Sequence, residues 1–384
     1  MTSTAVRDRM DQTLIDVPPG LANVVVAETE LGDVRGLEGF YHYRQYSATD
    51  LARTHSVEEV WRLMLDGALP SPAEAVDFAA EVRRLRAIPA EVGSLLPAIG
   101  AATSGADQLA GLRAAVPLLA AAAGMRPLFD QDPAGRRADA LAIGAAVPTV
   151  LAALHRARLG LDPIAPRADL DHAANYLWML SGEEPREQVA AAVNAYLVST
   201  VDHGFNASTF TARVVASTGA DLGAAVGAAL GSLSGPLHGG APSRALQLLD
   251  LGSGPAAAGY VREQVAHGGR VMGFGHAVYR TEDPRSALMK EVALGFGGPR
   301  VELAVEIEAA VLATLEELKP GRALRTNVEF YAALVMEAAG IPPAMFTATF
   351  ATARVLGWTA HALEQAAAGK IIRPAARYVG PAPR

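Results

Sequence analysis

The chain has 384 residues, 51% hydrophobic and 19% charged, a composition that supports two or three packed domains, or one large and one small, and excludes a disordered chain. A formal net charge of −7 argues against a nucleic-acid partner. With no cysteine, disulfides, thiolate nucleophiles and cysteine metal sites are excluded.

Residues 1–18 read as a flexible arm. The opening MTSTAVRDRMDQ is polar and holds no apolar signal core, which points to a cytoplasmic protein. Val24–Glu28, Gly32–Val34 and Phe40–Tyr43 are β-prone and predict a small N-terminal ribbon. From Ser56 the pattern is helical. Ser56 with Glu58 and Glu59 reads as an N-cap and acidic first turn, and Val57, Val60, Trp61 and Met64 share a face. Ser71 and Pro72 start another helix, with Ala73, Val76, Phe78 and Ala79 among its apolar positions.

The middle of the chain is rich in alanine, leucine and valine, as in helices that pack closely. Its apolar runs Ala114–Gly124 and Ala140–Leu154 are interrupted by Pro117 and Pro148 and fall short of the ~18 apolar residues a membrane span requires. The glycine-rich stretches Gly231–Gly240 and Gly268–Gly275 bracket a region of different texture. Long helices return at Val328–Ala339, closed by Gly340 and Pro342, and at Pro343–Ala368, closed by Gly369. The expected fold is all-α with a small N-terminal β element. Its large helical domain is expected over 19–233 and 328–384, and a small helical domain over 234–327.

Four clusters carry possible chemistry. In Gly235-Pro236-Leu237-His238-Gly239-Gly240 a histidine sits among glycines, either as a backbone a ligand approaches closely or as a solvated turn. In Gly273–Arg285, His276 ends a glycine turn, and Asp283-Pro284 reads as N-cap and N1 of a helix. That places Arg285 in a first turn favourable for an anion, unless it is only a capped helix start. Glu329 opens an apolar helix, as a dipole partner or as a buried base. Arg354 lies in an apolar stripe with Phe350, Ala351, Gly357 and Trp358 and needs a buried anion, internal or from a substrate. The basic segment Lys370–Pro374 reads as solvated. The histidines lack metal spacing, and no GxGxxG after a strand, Walker lysine or GxSxG elbow is present. Asn206-Ala207-Ser208 matches a glycosylation sequon, a reading with no support in a chain lacking a signal peptide.

Taken in order, these segments resemble the citrate synthase family over nearly the whole chain. GFGHAVYRTEDPR (Gly273–Arg285) is the most specific, supported by Asp202–Thr209, Gly235–Gly240, Gly340–Glu364 and Lys370–Gly380. The resemblance implies a homodimer whose large and small domains close over a cleft, with no metal or organic cofactor. It implies condensation of acetyl-CoA, or propionyl-CoA to 2-methylcitrate, with oxaloacetate, followed by thioester hydrolysis. By position, it implies that His238 polarises the thioester carbonyl, that His276 hydrogen-bonds the 2-oxo group and that residue 329 removes the α-proton. His203, Arg285 and Arg354 then bind the carboxylates with Asn206 in support, Arg373 comes from the partner subunit, and Arg280 meets the CoA phosphates.

Several positions depart from the pattern. Glu329 stands where aspartate is usual, Thr200 where many members have histidine, Arg325-Thr326 where an aromatic–proline pair is common, and Ala375 where arginine is frequent. Two other expectations follow from them: a catalytically weak paralogue that binds oxo-acid or CoA ligands, or condensation of a different acyl-CoA or 2-oxo acid.

Overall fold

The computed structural model describes residues 14–105, 107–238, 242–276, 278–322 and 324–382. Of the arm expected over 1–18, residues 1–13 lie outside the described residues. Residues 14–17 line a groove with the C-terminal segment, where Arg377 pairs with Asp16 at 3.0 Å.

The β element is a three-stranded antiparallel ribbon of β1 (Gly32–Arg35), β2 (Phe40–Tyr43) and β3 (Tyr46–Ser47). Val24–Glu28, expected to be β-prone, forms no strand; no partner strand satisfies its backbone there. In β2 alternate side chains turn inward, burying Tyr41 and Tyr43. Their hydroxyls donate to the carbonyls of Ser199 and Val198, each at 2.9 Å. The ribbon is thereby bolted to the end of the helix that leads into His203.

Sixteen α-helices follow among the described residues. The first five are α1 (Ala48–Thr54), α2 (Val57–Asp66), α3 (Pro72–Leu85), α4 (Ala90–Ala102) and α5 (Gln108–Ala122). Next come α6 (Pro133–Arg158), α7 (His172–Ser181), α8 (Glu187–Thr200), α9 (Ala207–Ser217) and α10 (Leu222–Leu233). Then come α11 (Pro242–Leu249), α12 (Gly254–Ala266), α13 (Pro284–Phe296) and α14 (Pro299–Leu318). The chain closes with α15 (Val328–Ala338) and α16 (Phe346–Ala368).

The expected starts of α2 and α3 hold: Ser56 with Glu59, and Ser71 with Glu74, form capping boxes. Val57, Val60, Trp61 and Met64 are all buried. In α3 only Phe78 and Val82 are buried, and Val76 is exposed, because α3 covers the outside of the bundle with a narrow stripe. Pro117 and Pro148 do not break their helices. As a result α6 is long and apolar enough to cross a membrane by length and composition, which the broken-run reading did not foresee, but 83% of its most apolar window is buried within the protein.

Helix α16 is buried on nearly every side, as expected of a core helix apolar all round. It packs on α6, α9, α10 and α8. At Gly357 an added Cβ would lie 2.2 Å from the carbonyl oxygen of Val201. Glycine at this position lets α16 approach the α8 end closely, one turn from Arg354. Helices α11 and α13 pack on α15, and α12 packs on α14, while α15 also touches α8. One continuous apolar cluster joins all these elements.

Candidate active site

Where α8, α13, α15 and α16 converge, a cavity of about 300 Å³ opens. It is lined by His203, Asn206, His238, His276, Arg285, Glu329 and Arg354, seven of the nine residues singled out in the sequence. Tyr196, Thr200 and Phe350 share the lining, and Leu237 and Val278 are exposed apolar residues on it. Arg280 and Arg373 are elsewhere. Arg280 is exposed, with its backbone N–H bonded to Gly36, and Arg373 lies on the exposed C-terminal segment, in the groove shared with residues 14–28. Gly239 and Gly240 of the His238 turn lie outside the described residues.

Val278 and Tyr279 both donate backbone N–H groups to His276 Nδ1, at 2.9 and 3.1 Å. Nδ1 is therefore an acceptor, and the ring proton belongs on Nε2. Burial and the Arg285 charge lower this imidazole to about 4, so it is neutral. At His238 the arrangement is reversed. Here Nε2 faces the protein, 3.2 Å from the Ser208 N–H, which is shared with Asn206 Oδ1, and 2.8 Å from the Ser208 hydroxyl; Nδ1 is the nitrogen left for a ligand. Burial, then the Arg354 charge, lowers its pKa too. Burial and the same arginines hold His203 well below the usual histidine value, and His203 Nε2 bonds the Tyr279 hydroxyl at 3.0 Å.

The two arginines differ. Arg285 is 4% exposed and forks onto Asp283, Nε to Oδ1 at 3.0 Å and Nη2 to Oδ2 at 2.9 Å. Its Nη2 also lies 3.1 Å from His276 Nε2. With Nδ1 occupied, both facing nitrogens are donors, so an acceptor oxygen placed beside the pair would serve both. Arg354 is 3% exposed and among the described residues pairs with no carboxylate within 4 Å, Asp202 reaching it only through its charge. Its Nε donates to the Thr200 carbonyl at 2.9 Å, and its guanidinium stacks 4.6 Å from the Phe350 ring centre. Burial lowers its pKa, which marks a cation in need of an anion.

Glu329 lies in the first turn of α15, capped by Asn327, whose side chain accepts from Glu329 N–H at 3.0 Å. Burial raises its pKa above the usual glutamate value, with Arg285 acting the other way. A carboxylate made more basic by burial, set beside two neutral imidazole donors, is equipped to take a proton from a weak carbon acid. Among the described residues no group of three or more histidine, aspartate or glutamate side chains is arranged to hold a metal.

Sequence reasoning read Asp283 only as a helix cap and did not find its ion pair to Arg285. It also did not assign Ser208, which holds His238 Nε2, or Tyr279, which holds His203. All three sit within the quoted segments, but their roles depend on which chain they face.

The family model described as citrate synthase, C-terminal domain, matches residues 20–375. A putative citrate synthase 2 of Mycobacterium tuberculosis is 38% identical over 375 residues, covering 95% of this chain and 94% of the relative. A 2-methylcitrate synthase of the same organism is 35% identical over 385 residues, covering 99% and 93%. Among solved structures, the citrate synthase of Thermoplasma acidophilum in ternary complex with carboxymethyl coenzyme A and oxaloacetate superposes with a TM-score of 0.85 at 28% identity, covering 94% of this chain and 96% of that one.

Proposed function

The chain belongs to the citrate synthase family and condenses an acyl-CoA thioester with oxaloacetate; we propose that the cavity between α8, α13, α15 and α16 performs this reaction, with acetyl-CoA or propionyl-CoA as donor. The observation that carries the assignment is the convergence of His238, His276, Glu329, Arg285 and Arg354 on one cavity, where burial lowers both imidazoles and raises the carboxyl.

Glu329 takes the α-proton of the acyl group while the thioester oxygen accepts from His238 Nδ1–H. The resulting enol carbon attacks the oxo carbon of oxaloacetate, whose oxygen accepts from His276 Nε2–H. Neutral donors suit this step, because a hydrogen bond aimed at developing negative charge strengthens as the charge forms. Arg354 forks onto one carboxylate of oxaloacetate and Arg285 meets the other, with His203 and Asn206 lining the same end. Water then hydrolyses the thioester. No metal or organic cofactor enters the scheme.

Coenzyme A is a polyanion with an apolar arm. Leu237 and Val278 supply exposed apolar surface for the arm. A neighbouring groove holds Arg270, Lys319 and Arg322 beside Phe274 and Leu324, and with Arg280 it offers positive charge to the phosphates. The proposal extends to a cytoplasmic homodimer in which residues 234–327 act as the smaller domain and Arg373 completes the partner's cavity. Its exposed position, away from the cavity of its own chain, supports that role.

The test is CoA release with oxaloacetate, comparing kcat/KM for acetyl-CoA and propionyl-CoA. One methylene in an acyl pocket is worth only ~1–3 kcal/mol, so both are measured together. Turnover of neither would reject the assignment.

A further inference from the structure

We propose that Glu308, remote from the substrates on α14, is a positioning residue for Glu329, an inference that rests on Glu329 being the base. Glu308 is 8% exposed. Its Oε1 accepts from the Thr326 hydroxyl at 2.7 Å. Its Oε2 accepts from the Tyr331 hydroxyl at 2.7 Å and from Lys290 Nζ at 2.6 Å. Thr326 and Tyr331 bracket residue 329, so one carboxylate grips the chain on both sides of the base. Lys290 brings in α13, the helix that carries Arg285 in its first turn, and stands 5.6 Å from the Tyr331 ring centre.

The grip bears on the site because the gripped segment is tied to the rest of the machinery. Thr326 bridges Phe274. Gly275 N–H donates to Arg325 O at 2.7 Å, Asn327 N–H to Gly273 O at 2.9 Å, and Asn327 Nδ2 to Gly275 O at 3.0 Å. This lacing holds the approach to His276 and the approach to Glu329 together. What it leaves open is how far α15 slides or turns relative to α14. The two hydroxyls on Glu308 fix that degree of freedom. Hydrogen bonds to an ionised acceptor are short and roughly twice as strong as neutral ones, and a reacting group displaced by about 1 Å can lose ~10²-fold in rate.

A purely structural cluster predicts a different result from a positioning one. Glu308→Gln replaces an acceptor oxygen with an amide donor and removes the charge. Thr326→Val and Tyr331→Phe each delete one bond with little change of shape. For all three, the expected result is a fall of roughly 10- to 100-fold in kcat and in α-proton exchange from acetyl-CoA. KM for oxaloacetate should stay within about twofold, because Arg354 lies on α16, outside the gripped segment. Thr326→Ser, which keeps the hydroxyl, should retain kcat. Glu329→Gln is run beside them. If Glu329→Gln is dead while Thr326→Val and Tyr331→Phe keep wild-type kcat, with or without a lower Tm, the positioning role is overturned. If Glu329→Gln itself turns over normally, it is the assignment of the base that fails.

Discussion

Asp283 accepts a hydrogen bond from the backbone N–H of Val328 at 3.2 Å, on the same Oδ2 oxygen that receives Arg285 Nη2. Its other oxygen caps α13 through Arg285 N–H at 3.0 Å. One carboxylate therefore starts two helices, one carrying an oxo-acid arginine and the other carrying Glu329. Asp283→Asn should strip the charge from a buried pair and cost on the order of 3–5 kcal/mol of stability, with a higher KM for oxaloacetate. Arg285 and its hydrogen bonds hold the Asp283 carboxyl below the usual aspartate range, against the opposing effect of burial. Its contribution is thus fully present above the unfolded value near ~3.9 and fades as pH falls through the folded one. Acid titration of Tm in wild type and variant checks this; parallel curves through that window would show the pair to be inert.

Glu329→Gln should abolish α-proton exchange from the acyl-CoA and leave oxaloacetate binding nearly intact. The same change should raise Tm at neutral pH, since burial opposes the ionised form. A group with a raised folded pKa destabilises the fold only once it ionises, so the gain in Tm disappears as pH drops through that value. Glu329→Asp should lower activity if the longer side chain is matched to its surroundings. Rising activity would instead reveal a site that Glu329 has degraded.

The acid limb of the kcat profile should belong to Glu329 and not to a histidine. All three cavity histidines are held below the ordinary value, His276 at about 4, while burial raises Glu329. Glu329→Asp should displace the limb. An unmoved limb would assign it to another group.

Arg354→Ala should cost roughly 2–5 kcal/mol in oxaloacetate affinity or transition-state binding, read by calorimetry and by kcat/KM. Arg354→Lys should also be poor, because an ammonium does not reproduce the fork. Wild-type kcat/KM for the alanine variant would move the carboxylate pocket elsewhere.

Arg270→Ala and Lys319→Ala should each raise KM for acyl-CoA by roughly two- to fivefold, the scale of an exposed ion pair, with kcat for saturated enzyme little changed. The effect should shrink at high salt. Equal KM values at low salt would remove this groove from CoA binding.

Arg373→Ala and Arg354→Ala subunits, inactive or weak apart, should regain activity when co-refolded, because a mixed dimer holds one intact site. Light scattering fixes the oligomeric state in the same samples. Full activity in a monomer would defeat both parts of the reading.

By itself the sequence determined most of the elements and most of the residues that line the cavity. The capping boxes at Ser56 and Ser71, the turns at Gly340 and Gly369, and the N-caps at Asn206, Asp283 and Asn327 are local. Short-range hydrogen bonds dictate such features wherever the chain goes. The order of the histidine, arginine and glutamate segments likewise carried the family and seven lining residues. What only the tertiary structure decided depends on distant partners. The sequence did not say whether Arg354 had an internal carboxylate, which nitrogen of His238 would face Ser208, or that Glu308 would face Thr326 and Tyr331 across 18 and 23 positions of chain. Pro148 shows the same limit in the fold. A proline removes one N–H whatever its surroundings, but whether the helix continues depends on the packing around it, and α6 runs unbroken because neighbouring helices bury it.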